Sequence, residues 1–196
     1  MKFKKQNRYF LAGVTLIELL VSMGIIVFIM VIFVANYRST NKRTDLTMAV
    51  QSLVSDFHQA QNNSLGLLKY GDEVPAGGWG LSFNLSQKNQ YILFADLDFP
   101  DTPGYMEYDL GEGEVSLGAR LIQLPPETEI SALRFNGQTT SKYLANVTFL
   151  PPDPKTNIYS AGATTTALEI DVKELRSGVI KTITVNFLGL AEVSND

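Results

Sequence analysis

The chain has 196 residues, a single histidine, no cysteine and a formal net charge of −4, so it is long enough for one ordinary domain and an extra element. The absence of cysteine excludes a disulfide framework and a thiolate metal site. The excess of acid argues against DNA as a partner, because neutralising phosphate needs clustered Lys and Arg.

Residues 1–13 carry Lys2, Lys4, Lys5 and Arg8 and no acid. Without them, twelve basic side chains face twenty acidic ones, a balance of −8. From Phe10 to Ala35 the only charge is Glu18. The run from Leu19 to Tyr37 holds 19 uncharged residues. As a helix it would span about 28 Å, close to the ~30 Å hydrocarbon core of a bilayer. A secretory signal has a shorter apolar core and then a small-residue cleavage site, which Asn36-Tyr37-Arg38-Ser39 is not. The segment therefore reads as a membrane anchor. Basic residues flank it on both sides, with Arg38, Lys42 and Arg43 after it, so charge biases the N-terminus only weakly toward the cytoplasm.

Glu18 is the anomaly in this segment. A carboxylate in an apolar span costs on the order of 2.5–3.5 kcal/mol near the bilayer centre. One reading is a side chain snorkelling to the headgroups from near the end of the span. The other is a carboxylate with a partner.

The stretch Gly13-Val14-Thr15-Leu16-Ile17-Glu18-Leu19-Leu20-Val21 resembles the processing site of type IV prepilins and pseudopilins. That family has a short basic leader ending in Gly, an apolar first mature residue, most often Phe, and Glu at the fifth mature position. Val14 stands where Phe is usual, and Glu18 is fifth from it. The resemblance implies that a prepilin peptidase, a membrane aspartyl protease, cuts between Gly13 and Val14 and methylates the new amine. It also implies that Glu18 neutralises the amine of an adjacent subunit in a filament. On a helix, positions i and i+4 share a face, so the Val14 amine and the Glu18 carboxylate are neighbours. Further partners implied are other pilin or pseudopilin subunits, the inner membrane and its assembly platform. The chain would pass the cytoplasmic membrane once, with a cytoplasmic leader and an extracytoplasmic head, and then join the filament.

Beyond the span, Leu46, Val50, Leu53, Phe57, Ala60, Ser64 and Leu67 recur at alternating four- and three-residue spacings, one face of a helix. The spacing predicts one helix from about Val14 to about Leu65. Residues 14–37 would be its membrane or filament-core part and 38–68 an amphipathic continuation. A free coiled coil is the alternative, but the stripe lasts only about three heptads and a strand-rich region follows. His58 falls among Asp56, Gln59 and Gln61 beside the stripe, the place of a solvated residue rather than a metal ligand.

From Gly77 the pattern changes to short alternating runs between Gly, Pro, Asn and Asp. Expected strands are Trp79–Asn84, Gln90–Leu97, Glu114–Gln123, Glu129–Phe135, Ala145–Leu150, Ala167–Leu175 and Val179–Leu188, the last two joined by a turn at Arg176-Ser177-Gly178. Pro151-Pro152-Asp153-Pro154 and Ser160–Thr166 read as loops. The fold class is α+β: a long N-terminal apolar helix packed on an antiparallel β-sheet head over 69–196. Among pilin-like proteins this layout, with Tyr91-Ile92-Leu93-Phe94-Ala95-Asp96 entering an acidic loop, most resembles the GspH/FimT type of minor pseudopilin.

That loop holds Asp96, Asp98, Asp101, Glu107, Asp109, Glu112 and Glu114. Asp96-x-Asp98 followed by Asp101 offers oxygen ligands suited to a hard cation such as Ca²⁺, but lacks the sharp-turn glycine of an EF-hand loop. A solvated acidic loop with no cofactor is the other reading, and the spacing favours it. Tyr105 and Tyr108, interleaved there, are read as packing or solvated residues. No Ser-His-Asp set, His pair or phosphate-binding Gly loop is present, so no enzyme is expected. The leading expectation is a structural, minor subunit of a type IV pilus or type II secretion pseudopilus. A competence pilin that binds DNA and an anchored extracellular binding domain that never polymerises are the alternatives.

Overall fold

The computed structural model describes residues 15–100, 105, 108, 119–151, 155–160 and 163–194. The chain divides into two units, Met1–Asn41 and Lys42–Asp196. A single α-helix, α1 (Leu16–Leu65), contributes to both. In the first unit its stretch Leu16–Val34 is long and apolar enough to cross a membrane, and none of it is buried against protein. Every large apolar side chain there is more than half exposed, a surface unsuited to water and suited to lipid or to neighbouring helices.

In the second unit α1 is amphipathic. Leu46, Ala49, Val50, Leu53, Phe57, Ala60 and Ser64 are buried, while Gln51, Ser55, His58 and Gln59 face solvent. The stripe follows the predicted spacing as far as Ser64. Burial of Leu53 and Phe57 contributes about 1.5–3 kcal/mol each. Leu67 does not continue the stripe, because the helix has already ended. The Leu68 N–H donates to Asn63 O at 2.8 Å and the Leu67 N–H to Ser64 O at 3.2 Å, the paired bonds that close a helix through one left-handed residue. That residue is Leu67, at φ 49, although Gly66 stands beside it.

The strands are β1 (Gly78–Asn84), β2 (Gln90–Asp96), β3 (Arg120–Gln123), β4 (Thr128–Phe135), β5 (Leu144–Leu150), β6 (Lys155–Ser160), β7 (Ala163–Thr165), β8 (Ala167–Glu174), β9 (Ile180–Asn186) and β10 (Ala191–Ser194). They form two antiparallel sheets instead of the single sheet expected: β3-β2-β1-β5-β6-β7 and β10-β9-β8-β4. All seven expected strands are present with shifted ends. The largest shift is in β3, whose first described strand residue is Arg120; residues 109–118 lie outside the described residues. The segment read as a loop at Ser160–Thr166 instead supplies the end of β6 and all of β7, and β10 was not expected. Pro152 to Pro154 lie outside the described residues.

Alternate residues of both sheets point to one core shared with the α1 stripe: Trp79, Leu81 and Phe83 from β1, Val147 and Phe149 from β5, Leu168, Ile170 and Val172 from β8. Polar pins fix the helix to each sheet. Ser64 Oγ donates to Phe149 O at 2.5 Å and accepts the Trp79 N–H at 3.0 Å. The Phe57 and Phe83 ring centroids lie 5.9 Å apart. On the other sheet, Lys181 Nζ donates to Thr47 Oγ1 at 3.2 Å. The architecture is α+β, as expected.

Candidate functional site

The helix begins immediately after the sequence predicted to be a processing site. Thr15 precedes its first residue, and Thr15 Oγ1 accepts the Glu18 backbone N–H at 3.3 Å. Thr-x-x-Glu at a helix start is the capping-box pattern, in which both side chains serve orphan N–H groups and the acid faces the positive end of the helix dipole. Glu18 is exposed and is the acidic residue of the first turn. Its carboxylate therefore lies within one turn of the helix start, among side chains suited to lipid. Gly13 and Val14 lie outside the described residues. The cap that Thr15 provides to the Glu18 N–H was not foreseen, although Thr15-Leu16-Ile17-Glu18 carries the signal.

At the other predicted site, β2 ends on Asp96, a buried residue on the sheet face opposite α1. Its Oδ1 accepts the Asp98 N–H at 2.8 Å, the turn that Asp side chains form with backbone two residues on. The carboxylate stands against Gly77, where an added Cβ would lie 1.9 Å from Asp96 Oδ2. Burial, and secondarily the charge of Asp96, raises the pKa of the nearby Tyr105 hydroxyl. Asp96 and Asp98 are thus brought together, but by a backbone turn. Asp101, Glu107, Asp109, Glu112 and Glu114 lie outside the described residues. Among the described residues no group of three or more His, Cys, Asp and Glu side chains is placed to hold a metal ion.

The same sheet face carries a polar patch not anticipated from sequence. Ser82, Asn146 and Thr148 are buried there. The Asn146 amide and the Thr148 hydroxyl have no hydrogen-bond partner among the described residues, an arrangement that costs about 1–3 kcal/mol for each unsatisfied group. Beside them a groove of about 210 Å³ is lined by Ser82, Asn84, Gln87, Gln90, Ile92 and Tyr108. The Tyr108 ring sits 5.5 Å from Phe94, which packs on this face as expected of an interleaved aromatic. The signal was present in the alternation Gly80, Ser82, Asn84 and Asn146, Thr148, polar positions on the face away from the core.

On the second sheet, Arg134 bridges Glu169 at 3.0 Å and both oxygens of Asp171, with Nη2–Oδ1 at 2.8 Å. Thr182 Oγ1 donates to Asp171 Oδ1 at 2.7 Å. The Asp171 hydrogen bond is the main cause of the raised Arg134 pKa. This cross-strand cluster pairs its charges with one another. His58 is exposed on α1 as expected.

No family model matches the chain, and neither a curated protein nor a solved structure matches it.

Proposed function

We propose that the chain is a prepilin-type subunit, cut after Gly13 and built into an envelope filament of the type IV pilus or type II pseudopilus kind through α1. The observation that carries this reading is the coincidence at the start of α1. An apolar run from Leu16 to Val34, unburied and charged only at Glu18, begins within three residues of a Gly that ends a basic leader. Such a helix suits a membrane before assembly and the helix-lined core of a filament afterwards, and a carboxylate persists there when it has an amine to meet. In this reading the head stays outside the cytoplasm and presents its surfaces to partners, and the chain performs no catalytic step. DNA is a poor partner for a head with this acidic balance, so a DNA-uptake role is the weaker version of the proposal.

Processing tests it directly. Intact-mass analysis of the envelope-associated protein is expected to give a chain that starts at methylated Val14. A chain that keeps residues 1–13 in an envelope containing active prepilin peptidase would leave an anchored, non-polymerising binding domain as the better description.

A further inference from the structure

Twelve asparagines occur in the chain, and Asn136 alone is followed by glycine. The Asn136-Gly137 pair forms the turn that ends β4, at φ 51 and φ 70, the left-handed conformation that this dipeptide favours. The Gln138 N–H closes the turn on Phe135 O at 2.9 Å. The turn is exposed, and a Cβ added at Gly137 would meet nothing within 4 Å. Among the described residues the Gly137 N–H has no hydrogen-bond acceptor.

The Asn136 side chain is gripped by one atom. Its Oδ1 accepts the Thr166 N–H at 3.2 Å, the Thr166 hydroxyl at 2.9 Å and the Ala167 N–H at 3.0 Å. All three donors come from the link between β7 and β8, which the Asn136 N–H also joins by bonding Ala167 O at 3.1 Å. A neutral amide oxygen has two lone pairs, so three donors exceed what it can use well. They suit an oxygen that gains negative charge, as in an oxyanion hole. Asn136 also lines a pocket of about 310 Å³ that holds Lys142 and no acidic side chain. A carboxylate formed at Asn136 would therefore meet no like charge there.

We propose that Asn136 is a self-modification site, at which the Gly137 nitrogen attacks the Asn136 side-chain carbonyl and the residue is converted to an aspartyl residue. The Gly137 nitrogen gives its proton to solvent base and bonds to Asn136 Cγ, and an electron pair of the carbonyl moves onto Oδ1. The three donors hold that oxyanion. Its collapse breaks the Cγ–Nδ2 bond, and Nδ2 takes a proton from water and leaves as ammonia, which closes a five-membered succinimide. Water then opens the ring. Addition at Cγ restores the ordinary backbone with an aspartate side chain, and addition at the main-chain carbonyl leaves an isoaspartate. The sum is one water consumed and one ammonia released, so no oxidant, reductant or cofactor is needed. The attack is intramolecular, which spares the entropy of bringing in a second reactant. Ring closure rotates the Asn136–Gly137 peptide and breaks the Gln138–Phe135 hydrogen bond. The missing Gly137 side chain and the open space beside it permit that rotation. The new carboxylate keeps the same donors, now as stronger charge-assisted bonds.

The full chain, folded in detergent micelles, is incubated at mildly alkaline pH in water enriched in heavy oxygen and then digested with trypsin in ordinary water. Cleavage after Arg134 and Lys142 releases Phe135–Lys142, in which Asn136 is the one asparagine. Mass spectrometry is expected to show this peptide gaining a heavy-oxygen carboxyl, in separable aspartate and isoaspartate forms, severalfold faster than peptides holding the other asparagines. Heavy oxygen marks conversion that preceded digestion. Thr166→Val and Thr166→Ala each remove one of the three donors and are expected to slow conversion severalfold, with an unchanged Trp79 emission to confirm that they remain folded. An Asn136 that stays unmodified in the folded chain, while the same peptide converts after unfolding in urea, overturns the proposal. So does conversion no faster than at the other asparagines. Conversion in both Thr166 variants at or above the wild-type rate overturns it too, because the donors would then only restrain the turn.

Discussion

Tyr91 and Asp56 meet inside the core, one from β2 and the other from α1, with the hydroxyl donating to Asp56 Oδ2 at 2.5 Å. Both residues are buried, so each removes the desolvation cost of the other only while the pair is intact. Burial, then the Asp56 hydrogen bond, pushes the Tyr91 pKa far above its ordinary 10.0. The folded state therefore holds the tyrosine proton after the unfolded chain has lost it. This contribution is complete below about pH 10 and declines as pH rises above it, by about 1.4 kcal/mol per pH unit for one proton. Tyr91→Phe is expected to lower stability at neutral pH by about 1–3 kcal/mol, because a buried carboxylate loses its donor. It should also flatten the alkaline slope of stability by one proton. Urea unfolding followed by the single Trp79 between pH 9 and pH 11 reads both effects, and parallel slopes for wild type and variant would show that Tyr91 does not titrate in this way. The sequence placed Asp56 beside the apolar stripe and Tyr91 in a strand. The pairing across 35 residues was not legible, because helical and strand periods record which face a residue occupies and not what it meets there.

α1 is the element on which both sheets assemble, and its spacing was legible from Leu46 to Ser64 because burial on one helical face leaves a 3.6-residue imprint. Ser64 was read as a small member of the apolar stripe. It is instead the pin between the helix end and β1 and β5, bonded at once to Phe149 O and the Trp79 N–H. Ser64→Ala keeps the packing volume and strands both backbone groups, so a loss of about 1–3 kcal/mol is expected. The loss should appear as a lower urea midpoint with an unchanged slope, since the surface exposed on unfolding is the same. An unchanged midpoint would show that apolar contacts alone hold this end. Strand positions were legible where apolar residues alternate, as in Leu168, Ile170, Val172. β6, β7 and β10 were missed because Lys155–Ser160 carries one aliphatic inward residue, Ile158, and the other two strands are only three and four residues long. The division into two sheets was also hidden. β1 pairs with β5 across some sixty residues, and alternation does not encode neighbours.

At the scale of the whole molecule, one helix supplies a lipid-compatible segment to the first unit and the core stripe to the second, a division that the change in composition near Arg38 already announced. What composition left undecided is why Glu18 is kept. The structure adds a competitor to charge pairing, for Thr15 and Glu18 stand in the capping-box relation. The two roles separate by substitution. Glu18→Gln keeps a side chain that serves a capping box and removes the charge, whereas Glu18→Ala removes both. Both variants should insert in the membrane at least as well as wild type, because a costly charge is gone. If Glu18 neutralises the amine of a neighbouring subunit, Gln and Ala fail alike to enter filaments, and the sheared fraction holds little of either. If Glu18 only starts the helix, Gln assembles normally and Ala is impaired by no more than the ~0.3–1 kcal/mol of a lost helix-end interaction. The expected outcome is equal failure. Normal incorporation of the Gln variant would remove charge pairing from the account and leave Glu18 as a helix cap.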